Sequence, residues 1–309
     1  MVSNYIEDEY GLKTIPNDSS LYHYTSACGL KGLLDGEIWM TESHFLNDRS
    51  EFGVASEAMA ELLRARMIDQ SKCEAVISRF RKEADALTSF DTLQSGGSLS
   101  GFYVMSLCIE PDSSLLWSEF TEFEGYSLEV GLGDLVSGLP CNSFWHGAVV
   151  YDSSEHQTLI EHAIKHDLFA EDQFPEITGW ESFDALTLNE LMPAIQHLSM
   201  IALMFNMFFK NECFAGENEY RVVVSAIHEG GIVRPDELTP TDFRVRDGVL
   251  SPFIRVPFNA VNAIKSITVG PLVNSEIAAQ GLRYYLSSKH IDADIKRSSI
   301  PLRFRLGTR

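Results

Sequence analysis

Short apolar runs, rich in aromatic and β-branched residues and bounded by polar turn residues, recur near both ends of the chain. Runs of roughly four to eight such residues are typical of β-strands. A last strand is predicted over residues 300–306, where apolar residues alternate with proline and arginine. The other predicted strands cover residues 21–25, 38–41, 102–109, 126–131, 148–151, 220–227, 253–256 and 264–269.

Apolar positions spaced by three and four residues mark the predicted helices. A polar cap at Asp48 with Glu51 three residues later predicts a helix start, and amphipathic spacing continues to about residue 87. A long helix is predicted over 188–209, and its second half is apolar nearly all round, which indicates burial. Residues 94–101 have the composition of a loop. Further helices are predicted at 28–34, in pieces across 153–186, and at 275–287.

The order of these elements predicts the fold class. Strands at both ends with helices between them favour a single α+β domain over residues 1–309. Helical segments at about 48–90 and about 153–210 are inserted between the strand-rich blocks. Neither an internal repeat nor a flexible linker divides the sequence.

The chain is strongly acidic, with 24 Lys and Arg against 44 Asp and Glu and a formal net charge of −20. This balance excludes a broad nucleic-acid-binding surface and disfavours adsorption to an anionic membrane. Residues 296–309 are the exception, because they carry five basic residues and no acidic residue. This basic end can contact a phosphate group or can be a solvated strand end.

Cysteine content and hydrophobicity predict a cytoplasmic protein. The five cysteines are scattered and form no Cys-x-x-Cys pair, which favours free thiols in a reducing compartment. The N-terminus lacks the basic start and apolar run of a signal peptide. The most apolar window, 200–209, is shorter than the roughly 18–20 residues that span a bilayer.

Several common catalytic motifs are missing from the sequence. It contains no phosphate-binding P-loop, no G-x-S-x-G motif and no H-E-x-x-H motif, and the pair Gly131 and Gly133 lacks the third glycine of a dinucleotide-binding turn. His162 and His166 are four residues apart, as metal ligands on a helix can be. Their polar surroundings favour a solvated helix face, so no metal is expected.

Two short clusters carry groups suited to chemistry. On a strand, His23 and Thr25 project from one face and Tyr24 from the other. Such a histidine can bind a ligand or can be a half-buried core residue. Trp117 and Tyr126 can form a stacking wall for a planar ligand or can be core aromatics.

The second cluster is the sequence Glu-Asn-Glu-Tyr-Arg at 217–221. Glu217, Glu219 and Arg221 share a strand face. Repulsion between close carboxylates can raise the pKa of one while the other stays ionised, and Arg221 can relieve that repulsion. The alternative is a solvated strand edge with a surface ion pair.

The order of several motifs resembles a largely uncharacterised bacterial family, the domain of unknown function 2971. That family usually carries a tryptophan shortly before its E-x-E-x-R element, whereas Phe214 stands nearby here. The resemblance spans nearly the whole chain. The matching stretches are LYHYTSACGLKGLLDGEIWMT, FLNDRSEF, SLCIEPDSSLLWSEFTEFEGYSLEVGL, VVYD, FKNECFAGENEYRVVV and IKSITVGP.

A looser resemblance concerns the opening strand, the Gly-Leu-x-x-Leu-Leu helix and the following short strand, which look like the start of ADP-ribosyltransferase-like folds. It implies a mixed, mostly antiparallel split-sheet core with inserted helices, and NAD as the substrate. It also implies that His23 contacts the adenosine-side ribose, with Tyr24 or Thr25 assisting. Glu219, or less favourably Glu217, takes the place of the catalytic carboxylate.

Five further residues are included among the expected nucleotide contacts. Trp117 and Tyr126 are candidates for the aromatic cradle around nicotinamide. Asn47 and Asp48 belong to a motif of the first family, although helix capping explains them equally well. Arg221 lies on the same strand face as the candidate carboxylates.

These resemblances imply transfer of ADP-ribose to an unknown macromolecular acceptor, or hydrolysis of NAD. A bacterial toxin or phage-defence effector, with a regulatory or neutralising partner protein, would use such an activity. Two alternatives stay open: a non-catalytic nucleotide sensor or interaction module on the same fold, and a metal-dependent hydrolase.

Overall fold

Strands from both ends of the chain are neighbours in one ten-stranded sheet. In the computed structural model, the described residues are 10–46, 51–88, 102–139, 144–170, 173–225, 227–228, 231–232, 242–246 and 248–302. The strands are β1 (Ser20–Thr25), β2 (Glu37–Glu42), β3 (Phe102–Cys108), β4 (Tyr126–Gly131), β5 (Phe144–Ala148), β6 (Glu219–Ser225), β7 (Ile227–His228), β8 (Gly231–Ile232), β9 (Asp242–Arg246), β10 (Val249–Pro257), β11 (Ile264–Val269) and β12 (Asp294–Arg297). The pair β7 and β8 forms a separate small hairpin.

Helices cover both faces of this sheet. They are α1 (Ala27–Leu34), α2 (Glu51–Arg66), α3 (Gln70–Thr88), α4 (Ser114–Thr121), α5 (Leu132–Ser137), α6 (Ser153–Asp167), α7 (Trp180–Ala185), α8 (Met192–Asn206), α9 (Ala260–Ala263) and α10 (Ser275–Lys289). Two 3₁₀ helices, Ser43–Phe45 and Glu212–Glu217, complete the set among the described residues.

The sheet runs in the order β12-β11-β4-β1-β3-β2-β10-β9, and β6 connects β3 to β5. Its described strand pairs are antiparallel except for β11 with β12. The fold class is therefore α+β with a mixed, mostly antiparallel sheet, as the sequence predicts.

The two edges of β3 are used differently. Along one edge β6 pairs with all of Phe102–Cys108. On the other edge β1 pairs only at Cys108, and β2 pairs only at Tyr103 and Val104. Because a strand has only two edges for hydrogen bonding, β1 and β2 must occupy the same edge and diverge. Residues 105–107 lie in the gap between them.

Two apolar layers hold the sheet. On one face α2, α3, α6 and α8 pack against Phe102, Val104 and Val223. On the other face α1, α5, α9 and α10 pack against residues such as Leu107 and Val222. The second half of α8 is buried, as predicted from its continuous apolar character.

Three predicted elements differ from the structure in ways that have a visible physical cause or change the position of the element. The helix predicted from residue 48 to about 87 is two helices, because the Asp184 carboxylate accepts the backbone N–H groups of Ile68 and Asp69 in the turn between α2 and α3. The strand predicted at 148–151 lies earlier, as β5, and Val150 instead bridges to Phe209. Of the strand predicted at 300–306, residues 300–302 have no regular structure, and residues 303–306 lie outside the described residues.

The short strand β12 precedes that segment and pairs in parallel with β11. After it, the Asp112 carboxylate accepts hydrogen bonds from the hydroxyl groups of Ser298 and Ser299. The predicted capping residues Asn47 and Asp48 and the predicted loop at 94–101 lie outside the described residues.

Substitution of two glycines, Gly36 in the turn between α1 and β2 and Gly53 in α2, should change stability in opposite directions. Gly36 has a φ of +83°, and a Cβ there would lie 3.3 Å from the carbonyl oxygen of Phe258. We expect Gly36→Ala to lower the free energy of unfolding by about 1–2 kcal/mol, because L-residues avoid left-handed backbone. Gly53 lies within α2 with open space around its Cα, so Gly53→Ala should stabilise by about 0.5–1 kcal/mol. Urea unfolding measures the free energy of unfolding of both variants. If the two substitutions change it in the same direction, the prediction is wrong.

Candidate functional site

A cavity of about 540 Å³ opens where β1 and β2 diverge from β3. We call it the β1–β2 cavity. Its volume falls within the range of small-molecule and cofactor sites. Its walls come from β1, β2, β3, the segment 116–124 and the start of β6. The lining residues include 22–26, 104–108, 119–122, Trp39, Thr41, Lys210, Glu217, Glu219, Arg221 and Arg244.

His23 projects from β1 toward the gap edge of β3. Its Nδ1 donates a hydrogen bond to the carbonyl oxygen of Ser106 at 2.8 Å. This bond fixes the proton on Nδ1 in the neutral ring, so Nε2 is then the hydrogen-bond acceptor. Thr25, two residues further along β1, also lines the cavity.

Tyr24 forms the back of the same wall. Its hydroxyl donates to the carbonyl of Glu110 at 3.1 Å and accepts the N–H of Ser113 at 2.9 Å. Burial of the ring and hydroxyl raises the pKa of Tyr24 well above its usual value. Tyr24 is therefore a neutral, fixed wall residue.

Trp117 and Tyr126 lie outside the cavity lining. Trp117 is fully buried, stacks edge-on against Tyr24 and donates its Nε1–H to Asp112 at 2.7 Å. Tyr126 packs against the apolar layer that contains α10. The aromatic residue that α4 contributes to the cavity lining is Phe120.

Two carboxylates and two cations form a buried cluster at the β6 side of the cavity. The cluster consists of Lys210, Glu217, Glu219 and Arg221. Asn218, with a left-handed φ of 45°, turns the chain from the 3₁₀ helix into β6 and brings the two glutamates together.

Glu219 is held from several sides. Arg221 is only 1% exposed and donates to Glu219 Oε1 through Nε and to Oε2 through Nη2, both at 2.9 Å. Lys210 Nζ lies 3.4 Å from the same Oε2. The backbone N–H of Glu219 donates to the hydroxyl of Tyr151 at 3.0 Å.

The two carboxylates differ in proton affinity. Burial alone would raise the pKa of Glu219, but the charges of Arg221 and Lys210 outweigh it and lower that pKa to about 2. Burial raises the pKa of Glu217 above the usual glutamate value, against the opposing charge of Lys210. The pKa values of the two carboxyl groups therefore differ, with one raised and one lowered. For Glu217 the largest cause is burial and not the repulsion from Glu219 on which the sequence prediction was based.

Ser106 connects the two sequence-predicted clusters. Its carbonyl accepts from His23, and its side chain is close enough to Glu219 to help lower the pKa of that carboxylate. His23 on β1 and Glu219 on β6 therefore both lie beside Ser106 and line one cavity.

Sequence reasoning missed Ser106 and Lys210. Ser106 sits inside an apolar strand and carries no local signal. Lys210 does carry a signal in the sequence, because it directly follows the apolar window 200–209 and precedes Glu217 by seven residues. A lysine that ends a buried helical segment calls for a carboxylate partner.

The site combines three chemical capacities. Glu219 is an anion because its pKa is lowered to about 2, Glu217 is a carboxylate whose pKa is raised by burial, and His23 is an imidazole oriented by its bond to Ser106. Such an arrangement can stabilise a developing positive charge and move a proton beside it.

Other sequence candidates lie elsewhere. His162 and His166 are exposed on α6. No group of three His, Cys, Asp or Glu side chains suited to a metal ion occurs among the residues that the structure describes. Within those same residues, none of the helices combines the length and apolar character needed to cross a membrane. Asn47 and Asp48 lie outside the described residues.

Comparison with known proteins gave no match to a family model, to a curated protein or to a solved structure.

Proposed function

We propose that this chain is an NAD-using enzyme of the ADP-ribosyltransferase-like type, which transfers ADP-ribose to a macromolecule or hydrolyses NAD. The observation that supports it is that His23 and Glu219 line one cavity from two different strands, with His23 bonded there to the carbonyl of Ser106. The divergence of β1 and β2 from one edge of β3 is also what a split-sheet core requires.

The charge distribution suits cleavage of an N-glycosidic bond. When nicotinamide leaves, positive charge builds up on the ribose, and a nearby anion stabilises this transition state more than the ground state. Glu219 is that anion in our proposal, because its pKa of about 2 keeps it ionised at every physiological pH. Glu217 accepts the proton of the attacking acceptor or water.

His23 binds the nucleotide in this proposal. Its Nε2 accepts a hydrogen bond from a ribose hydroxyl while Nδ1 stays bound to Ser106. Tyr24 and Thr25 support the same end of the ligand. No metal takes part in these steps.

In its biological setting we propose a cytoplasmic bacterial toxin or phage-defence effector. An enzyme that consumes NAD or modifies cell components needs restraint in its own cell. A neutralising partner protein would supply that restraint.

One observation favours a second candidate, a nucleotide sensor without turnover. Arg221 contacts both oxygens of Glu219, which offsets much of the negative charge that the transition state requires. In a sensor, the same cavity binds the nucleotide and the buried cluster only shapes its wall.

Nicotinamide release tests the proposal. We expect the purified chain to release nicotinamide from NAD, measured by chromatography, with or without candidate acceptors. His23→Ala should raise KM about tenfold, the effect of losing one hydrogen bond to a ligand. His166→Ala, on an exposed part of α6, is the matched control and should leave KM unchanged.

The outcomes separate the two candidates. Saturable NAD binding without nicotinamide release identifies a sensor. Neither binding nor release, with a folded protein, would show that both proposals are wrong.

A further inference from the structure

Lys210 occupies a fixed position beside both glutamates. Its backbone N–H donates to the carbonyl of Val150 at 3.0 Å, which anchors it where the chain leaves α8. Its Nζ lies 2.8 Å from Glu217 Oε2 and 4.8 Å from the centre of the Phe214 ring. The residue is 5% exposed and lines the β1–β2 cavity. A lysine held on three sides has little freedom to leave its partner.

Lys210 is placed differently from Arg221, although both are buried cations. Arg221 binds Glu219 with two hydrogen bonds and also donates to the carbonyl of Met207 at 2.8 Å. Lys210 lies closer to Glu217 than to Glu219, at 2.8 Å against 3.4 Å. Each carboxylate therefore has its own nearest cation.

We propose that Lys210 is a positioning residue, which holds Glu217 as an aligned carboxylate in the cavity and keeps it apart from the Glu219–Arg221 pair. This inference rests on the proposed function, because it explains how Glu217 is ready to accept a proton. Lys210 also adds its charge to that of Arg221 beside Glu219, but its shorter contact is with Glu217, at 2.8 Å against 3.4 Å, and its proposed role is to position that carboxylate.

Several groups act on Glu217 besides Lys210. Arg221 also favours its ionised form, whereas Glu219 opposes it. Burial raises the pKa of Tyr151 and of Cys108, that of Cys108 to about 12, so both are neutral. The negative charge of Glu217 raises both pKa values further. Without Lys210, burial and Glu219 would act on Glu217 with Arg221 as the remaining counter-charge.

The test is a titration of Glu217 itself. Carboxyl ¹³C NMR of the full chain gives its protonation midpoint, with the resonance assigned by comparison with Glu217→Gln. An opposite charge at this distance shifts a carboxyl pKa by about 1–3 units, so Lys210→Met should raise the midpoint by about 1–3 pH units. Lys210→Arg keeps the positive charge, so its midpoint should stay close to that of the unsubstituted chain.

Activity supplies the second readout. The acidic limb of the kcat profile for nicotinamide release should move upward with the NMR midpoint in Lys210→Met. Lys165→Met removes an exposed lysine of α6 and should change neither the NMR midpoint of Glu217 nor the acidic limb of the kcat profile. If Lys210→Met does not fold, Lys210→Gln, which is also neutral but polar, takes its place.

An unchanged midpoint in a folded neutral variant overturns the proposal, and so does a midpoint that shifts while the acidic limb of kcat stays in place. If the unsubstituted chain releases no nicotinamide, the proposed function fails. The NMR midpoint then still judges Lys210: a shift upholds its control of Glu217, and no shift overturns it.

Discussion

Glu219→Gln is expected to lower kcat/KM for nicotinamide release by about 10²–10³-fold, the usual effect of removing a group that stabilises transition-state charge. Glutamine has nearly the same size and its carbonyl oxygen can still accept one of the two bonds from Arg221, so the change removes the charge and one hydrogen bond but little of the shape. KM for NAD should change little, because Glu219 acts on charge that develops only after binding. Steady-state kinetics measure both constants.

The control for this experiment is Glu161→Gln. Glu161 pairs with Arg66 and Lys165 on the surface of α6, so the variant should retain full activity. Circular dichroism must show that both variants are folded at the assay temperature. A Glu219→Gln protein that is folded and fully active would contradict the role of Glu219 as the essential anion.

Arg221→Met is expected to lower the free energy of unfolding by about 3–5 kcal/mol, because it leaves a buried carboxylate without its bidentate partner. The carbonyl of Met207 also loses its donor. Urea unfolding at neutral pH measures the loss. Arg255→Met is the matched control: Arg255 is 42% exposed and pairs with Glu37 and Asp242, so a much smaller change is expected.

The pH dependence of stability gives the same pair a second signature. The pKa of Glu219 is about 2 in the folded chain against a usual value of 4.5. A lowered folded-state pKa contributes stability that is fully present above pH 4.5 and is lost as the pH falls toward 2. In Arg221→Met this loss should shrink, because the charge that most lowers the pKa is gone. If both proteins lose the same amount of stability as the pH falls from 4.5 toward 2, Arg221 does not lower the pKa of Glu219 as described.

Local patterns carry much of the fold. The strand predicted at 264–269 is β11, residue for residue, and the strand predicted at 21–25 lies within β1. Both are short runs of strand-forming residues bounded by turn residues, so neighbouring sequence is enough. The strand β5 was displaced in the prediction because its sequence, FWHGA, mixes aromatic residues with histidine and glycine.

The candidate site depends on contacts that no local pattern contains. His23 and Glu219 were named from their own segments, but their common partner Ser106 follows from the register of β3 with β6, which pairs Ser106 with Arg221. Trp117 had the residue type of a ligand wall, yet the side chain faces Asp112 and the interior. Register and side-chain direction are tertiary properties, so the sequence offers candidate residues but not their contact partners.

The shared edge of β3 also has a consequence for how the protein folds. The strands that meet at β3 start at residues 20, 37 and 219, so the cavity joins segments separated by most of the chain. Contacts of such long sequence separation form slowly, because loop closure must precede them. A chain shortened before β6 would leave β3 with a bare, strongly apolar edge, which favours aggregation. We therefore expect the β1–β2 cavity to be one of the last features to assemble, and a fragment that lacks β6 to lose one of its walls.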